Sequence, residues 1–322
     1  MPQSSIYYAV GRLSVLQKST LDKNRLDRLL AEPDVREARR SLQELGWGDS
    51  ADYELMAQNH VEEGCRLVKK LALDENIVNC FLLRYDANNL KMLFKARCLD
   101  QEATELSPCG VWSLDALRHA VTEHRYSLFP KVLSDALNEL EKRLSVAPDP
   151  LDVDVTLDKA MYECIFSWLP KKALTEKKYF TAKVDLTNYV MALRALHMEK
   201  PASFFKSLIL PGGSVAVAAW MRAYEKPEKL PLLLNRYGTK MYQCAIAAQM
   251  DHAKAAALER MSDDYLLSLY AAYRRELEMP ERIIAFLLSR EREAAAVRLI
   301  MAGKTAGFPM EKIKERLRDL YG

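Results

Sequence analysis

Two acidic residues, each followed three positions later by an asparagine, are the strongest candidates for chemistry in this chain. They are Asp86 with Asn89 and Asp185 with Asn188. A carboxylate in such a pair could bind an ion or the basic residue of a partner. The same spacing is typical of a helix start, where Asp accepts backbone N–H bonds and the third residue reaches back, as in a capping box. We favour helix capping over ion or partner binding.

Both pairs belong to a longer repeat. Residues 86–97 and 185–196 share Asp-x-x-Asn, an apolar helical stripe, and then a basic residue and Ala, and residues 293–304 form a looser third copy. The segments that follow the first two copies also match, because residues 106–110 align with residues 209–213. A chain that repeats one helical unit is built from similar modules, so the repeat predicts architecture before it predicts chemistry.

The third copy differs from the other two at its acidic position. Glu293 takes the place of Asp86, and Lys304 takes the place of Arg97. Glu293 fits a capping role less well, because Ser289 is predicted to begin that helix one turn earlier. These residues, together with the two Asp/Asn pairs, form the predicted structural repeat signature.

Familiar catalytic and metal-binding motifs do not occur in the sequence. His119 and His124 are five residues apart and do not share a helical face, and Gly212 and Gly213 lack the spacing of a phosphate-binding loop. The six cysteines are scattered without a CxxC pair, which is typical of reduced, packed thiols. We therefore predict no catalytic residue, no cofactor and no metal.

The composition indicates a globular, helical protein. Of 322 residues, 49% are apolar and 28% are charged, which suits two or three domains with substantial cores. Glycine and proline are scarce and no alternating strand pattern occurs, so the predicted fold class is all-α. A net charge of +3 is too small to indicate nucleic-acid binding. No run of about 18 apolar residues and no signal peptide is present, so no membrane span is expected.

Domain boundaries follow from the repeat and from one Pro-rich stretch. Residues 147–150 form the clearest linker in the chain. The third copy lies too close to the C-terminus for a full unit, so the N-terminal helices are expected to complete it. The predicted domains are residues 1–50 with 288–322, residues 51–150 and residues 151–287.

The repeat blocks also resemble a known family. Residues 85–97, which read Tyr-Asp-x-x-Asn-Leu-Lys-x-Leu-x-Lys-Ala-Arg, resemble the signature of the C subunit of prokaryotic V-type (A-type) ATPases, a relative of the d subunit of the vacuolar ATPase. Residues 183–195 and 208–213 resemble the second signature and the turn after it. Residues 290–304 resemble the closing signature, with Ala296 in place of the usual Asn. The resemblance covers nearly the whole chain.

This resemblance implies a funnel of three similar helical domains about a pseudo-threefold axis. In the family, such a protein is a socket at the bottom of the central stalk, on the cytoplasmic face of the membrane and peripheral to it. The shaft made by the D and F subunits enters one side, and the proteolipid rotor ring docks on the other. The socket transmits torque for ion transport or ATP synthesis and hydrolyses nothing itself.

Two alternative functions stay open at this stage. The first is a generic α-helical repeat scaffold that binds soluble proteins through a concave face. The second is an enzyme, a small-molecule hydrolase with an unrecognised site among Asp86, Asp185 and Glu293.

Overall fold

The computed structural model describes residues 5–16, 20–276 and 279–320, and every regular element in these ranges is a helix. The all-α prediction is confirmed for these ranges, where no helix is long and apolar enough to cross a membrane. The α-helices are α1 (Ile6–Leu16), α2 (Lys23–Ala31), α3 (Val35–Glu44), α4 (Tyr53–Leu71), α5 (Glu75–Cys98), α6 (Leu114–Thr122), α7 (Lys131–Val146), α8 (Pro150–Trp168), α9 (Leu174–His197), α10 (Ala202–Leu208), α11 (Val217–Tyr224), α12 (Thr239–Met250), α13 (Ala255–Ala271), α14 (Glu281–Thr305) and α15 (Met310–Arg316). Short 3-10 helices span Pro227–Tyr237, His252–Lys254 and Ala272–Arg275.

The helices pack into two compact units. Unit 1 contains the chain up to Asp74 together with the chain from Cys244 onward, and unit 2 contains residues 75–243. The two ends of the chain thus belong to the same unit, and the boundary near the C-terminal side falls within α12. The division into three domains stays a prediction.

Unit 1 is organised around α14, which packs along α4 and also contacts α1, α3, α13 and α15. Phe286, Val297 and Ile300 on α14 are almost completely buried, as is Met56 on α4. The two helices approach closely at Gly64, where an added Cβ would lie 3.1 Å from Cγ of Arg290. A side chain at position 64 would therefore press against Arg290 unless Arg290 moved by a few tenths of an ångström.

Unit 2 is organised around α5, which packs along α8, while α8 packs along α7. The Phe81 ring of α5 lies 4.7 Å from the ring of Phe180 and 5.2 Å from that of Tyr179, both on α9. These aromatic contacts bury a large apolar area between α5 and the first half of α9.

Side-chain caps begin many of these helices. A side-chain oxygen accepts a backbone N–H at the start of α2, α3, α4, α6 and α8, and the capping residues are Asp22, Asp34, Asp52, Ser113 and Asp149. Such caps satisfy donors that have no partner within the helix.

The predicted helix starts at Asp86, Asp185 and Ser289 are wrong. Asp86 and Asp185 lie in the middle of helices of 24 residues, and Ser289 lies two turns inside α14. Because these helices are buried on most sides, their apolar residues do not form one stripe that would reveal the earlier turns. In the sequence, a polar residue in the middle of such a buried helix therefore resembles the start of a helix.

Candidate functional site

Asp86 is fully buried in the middle of α5. Its carboxylate accepts hydrogen bonds from the backbone N–H groups of Val111 at 2.5 Å and Trp112 at 3.2 Å. These donors lie in the loop before α6, next to its capping residue Ser113. The prediction that Asp86 caps its own helix is therefore wrong. It holds the loop that leads into the next helix, with charge-assisted bonds.

Asn89 holds the same loop one helical turn further along α5. Its side-chain amide donates to the carbonyl of Ser107 at 2.8 Å, and its side-chain oxygen accepts from the N–H of Ser107 at 2.9 Å. Between these anchors, a Cβ added to Gly110 would lie 2.1 Å from Oδ1 of Asp86, so only glycine fits. We call Asp86, Asn89 and the loop segment 107–112 the first clamp.

Asp185 is equally buried in the middle of α9, within unit 2. Its carboxylate accepts from the backbone N–H groups of Ser214 at 3.0 Å and Val215 at 3.3 Å. The hydroxyls of Ser214 and Tyr237 each donate to it at 2.5 Å. The capping prediction for Asp185 is wrong for the same reason as for Asp86, because its donors come from a distant loop.

Asn188 completes a second clamp. It accepts from the N–H of Leu210 at 2.8 Å and donates to the carbonyl of Leu210 at 3.2 Å, while a Cβ added to Gly213 would lie 2.3 Å from Oδ1 of Asp185. We call Asp185, Asn188 and the segment 210–215 the second clamp. In both clamps the Asn holds the first residue of the segment, glycine is fourth, and the fifth and sixth residues donate to the Asp.

The third acidic position makes a different contact. Glu293 on α14 is 1% exposed, and its carboxylate accepts from the Ser289 hydroxyl at 2.8 Å. Its other oxygen lies 3.1 Å from Nε2 of His60, which belongs to α4. Ala296 stands where the first two copies have Asn, so no amide is available there to hold a loop. Glu293 therefore links two helices of unit 1.

His60 lies inside a charged cluster of unit 1. Its ring stacks on Trp47, with centroids 3.6 Å apart, and Nη1 of Arg290 lies 2.9 Å from its ring nitrogens. Burial lowers the pKa of His60, and this effect exceeds the rise caused by the hydrogen bond to Glu293. A neutral ring that donates from Nε2 to Glu293 and accepts at Nδ1 from Arg290 satisfies both partners. Sequence reasoning missed His60, whose hydrogen-bond partners Glu293 and Arg290 lie more than 200 residues away.

The two basic residues of the repeat signature hold helix ends. Nη1 of Arg97 donates to the carbonyl of Val121, at the end of α6, at 2.8 Å. Nζ of Lys304 donates to the carbonyl of Leu30, at the end of α2, at 2.9 Å, and also to the carbonyl of Glu32. Cations at helix C-terminal carbonyls are favourable because the helix dipole is negative there.

The arrangement suits a structural role better than a chemical one. The three acidic side chains are at most 1% exposed and are engaged by donors of the protein itself. Among the described residues, no group of three or more His, Cys, Asp or Glu could hold a metal ion. The residues of the repeat signature therefore hold loops or neighbouring helices against three long helices. The acidic residues and the asparagines do so from the middle of a long helix, and the basic residues do so from its end.

Alanine at either clamp glycine should destabilise unit 2. We expect Gly110→Ala and Gly213→Ala each to lower the free energy of unfolding by about 2 kcal/mol or more, because the new Cβ overlaps a buried carboxylate. Equilibrium denaturation measures this loss. Gly11→Ala on α1 is the control, since a Cβ there meets nothing within 4 Å and alanine favours the helix. Wild-type stability in both clamp variants would contradict the geometry.

Removing the charge of Asp86 should loosen the loop before α6. Asp86→Asn places an amide donor against backbone donors, and we expect a loss of about 1–3 kcal/mol in stability and faster hydrogen exchange at Val111 and Trp112. Asp135→Asn is the matched control, because among the described residues Asp135 pairs only with Lys131, on an exposed surface. Unchanged stability together with loss of a substrate-dependent activity would favour the enzyme alternative instead.

Acid should destabilise unit 1 through His60. Because the folded pKa lies below the ordinary value of 6.5, the folded state binds fewer protons than the unfolded chain as the pH falls below 6.5. The free energy of unfolding should therefore fall by up to about 1.4 kcal/mol per pH unit in this window. His60→Gln should be less stable than wild type at pH 7.5 and show a shallower dependence between pH 6.5 and 5.5. Equal slopes would show that His60 does not titrate this way.

Two comparisons with known proteins identify the family of this chain. Residues 9–316 match the family described as ATP synthase (C/AC39) subunit. The chain is also 27% identical over 281 residues to the C subunit of the V-type sodium ATPase of Enterococcus hirae, an alignment that covers 85% of this chain and 84% of the relative. Because the family match spans nearly the whole chain, the resemblance to the C subunit of V-type ATPases is confirmed, and the chain belongs to the ATP synthase (C/AC39) subunit family.

Proposed function

We propose that this chain is a non-catalytic central-stalk component of a prokaryotic V/A-type rotary ATPase. In this role it is a socket that couples the shaft of the D and F subunits to the proteolipid rotor ring. It transmits torque between ATP chemistry and ion movement. The observation that carries the proposal is that its most enzyme-like residues, Asp86 and Asp185, are buried and hold loops, in a chain of this family.

Resistance to deformation is the property that a torque-transmitting protein needs most. Loops are normally the most mobile parts of a protein, since few buried contacts hold them. In unit 2, both clamps attach a loop to the middle of a long helix, away from ends that fray. Each of these helices extends about 36 Å along its axis. The clamps thus stiffen the segments that would otherwise yield first.

The three repeat copies also support an arrangement of three similar helical domains. One copy lies on each of the long helices α5, α9 and α14. As part of the proposal, these helices mark three similar domains about a pseudo-threefold axis, forming a funnel. Residues 1–50 would then share a domain with residues 288–322, beside domains of residues 51–150 and 151–287.

We further propose that the chain lies at the cytoplasmic face of the membrane, peripheral to it, as part of the complex. The name of the Enterococcus hirae relative describes a sodium ATPase, which supports ion movement as the work of the assembled machine. The chain itself supplies coupling and no hydrolysis.

Capture of partners from native membranes tests this proposal. A tagged chain mixed at low salt with membranes that lack the native copy should retain the D and F subunits and the rotor ring. Raised salt should release them, because polar rotor interfaces are screened. The Asp135→Asn protein, altered only at an exposed ion pair, should retain the same partners. Binding to neither shaft nor ring would overturn the proposal, and binding only to unrelated soluble proteins would favour a generic scaffold.

Coupling gives a second readout in the same experiment. Membranes without the chain should retain ATP hydrolysis by the catalytic head but lose ATP-driven ion transport, and adding the chain should restore transport. Loss of hydrolysis by the isolated head would contradict a non-catalytic role.

A further inference from the structure

A lysine-rich surface surrounds the start of α9 in unit 2, outside both clamps. Lys171, Lys172, Lys177 and Lys178 are all exposed, and they flank Leu174, which is 72% exposed. We call these five residues the lysine surface. An exposed leucine among four positive charges is not explained by the packing of this unit.

The lysine surface is compact because of helix geometry. Leu174 is the first residue of α9, and Lys177 and Lys178 follow it by three and four positions, so they lie one turn further along the same face. Lys171 and Lys172 lie in the turn just before the helix. The positive end of the helix dipole adds to their charge. The result is a concentrated basic surface with an apolar centre.

The charge of the lysine surface is not offset by ion pairs among the described residues. In the part of the chain that the structure describes, none of the four lysines forms an ion pair. The acidic residue of the stretch, Glu176, is 2% exposed and lies beneath the surface. The four lysine charges therefore face solvent.

The lysine surface is also absent from the other repeat copies. In the alignment of α5, α9 and α14, Lys177 corresponds to Val78 and Ala285. Both of those residues are buried, at 4% and 0% exposure, whereas Lys177 is exposed. The repeat fold therefore forms without lysine at this position, and the exposed lysine is particular to the second copy.

The residue types indicate which anion fits. All four cations are lysines, whereas protein interfaces are depleted in lysine and favour arginine, whose planar group pairs with carboxylates. Lysine clusters on helices are typical of segments that bind anionic lipid, where each charge acts as a point beside phosphate groups. An exposed leucine at the centre can enter the boundary between headgroups and acyl chains.

We propose that the lysine surface binds an anionic lipid surface, with Leu174 inserted at the headgroup boundary. This goes beyond the proposed coupling role, which requires only protein partners. The contact would add a direct, salt-sensitive attachment of unit 2 to the bilayer.

Co-sedimentation of the purified full chain with protein-free vesicles tests this proposal. Vesicles of phosphatidylcholine alone should bind little, and vesicles with one third phosphatidylglycerol should bind strongly at low salt and weakly at high salt. Each lysine should contribute about fivefold to partitioning, so changing all four to Gln should reduce it on the order of several hundredfold. Leu174→Ala should reduce it several-fold and leave the salt dependence unchanged.

The matched control removes four other exposed lysines of the sequence from 200 to 243, namely Lys206, Lys226, Lys229 and Lys240, each changed to Gln. It loses the same net charge and should keep most of the binding. Equal loss in the control, or no preference for anionic vesicles, would overturn the proposal. In a separate assay with vesicles that contain the rotor ring, binding by wild type but not by the variant with all four lysines changed to Gln, without binding to protein-free vesicles, would also overturn the proposal and indicate an acidic protein partner. Because the anionic and neutral lipid vesicles contain no protein, their result is independent of the capture of the D and F subunits.

Discussion

A carboxylate buried in the middle of a helix must find its hydrogen-bond donors elsewhere, because the backbone donors around it are already used by the helix. Left without donors, such a group would cost several kcal/mol. Asp86 and Asp185 meet this requirement with backbone N–H groups of distant loops. The position of each loop, and of the short helix that follows it, therefore depends on one buried charge.

The same constraint explains which residues surround each acid. A loop backbone can approach a buried carboxylate closely only where a residue lacks Cβ, and Gly110 and Gly213 occupy that place. On α14 the longer Glu293 instead reaches the His60 ring of α4, with Ser289 as its second donor. Equivalent positions of the repeat thus hold loops in unit 2 and a neighbouring helix in unit 1.

The buried polar contacts and the exposed lysine surface lie in different parts of this molecule. The clamps and the His60 cluster use charged and polar groups inside the units, where they fix segments in place and are closed to ligands. The lysine surface lies outside this framework and occurs in one copy only. In the proposed coupling role this division is useful, because the interior can stay rigid while single copies acquire separate contacts.

Local sequence was sufficient to predict that the fold is helical, to align the repeat copies and to identify the family. It also aligned the loop at residues 106–110 with that at residues 209–213, the register that the structure shows at Gly110 and Gly213. Tertiary structure alone decided where the long helices begin and what the acids hold. Val111 lies 25 residues from Asp86, and His60 lies 233 residues from Glu293. Spacing along a chain reports which side chains share a helix face, whereas the donors of a buried charge are chosen by packing between distant segments.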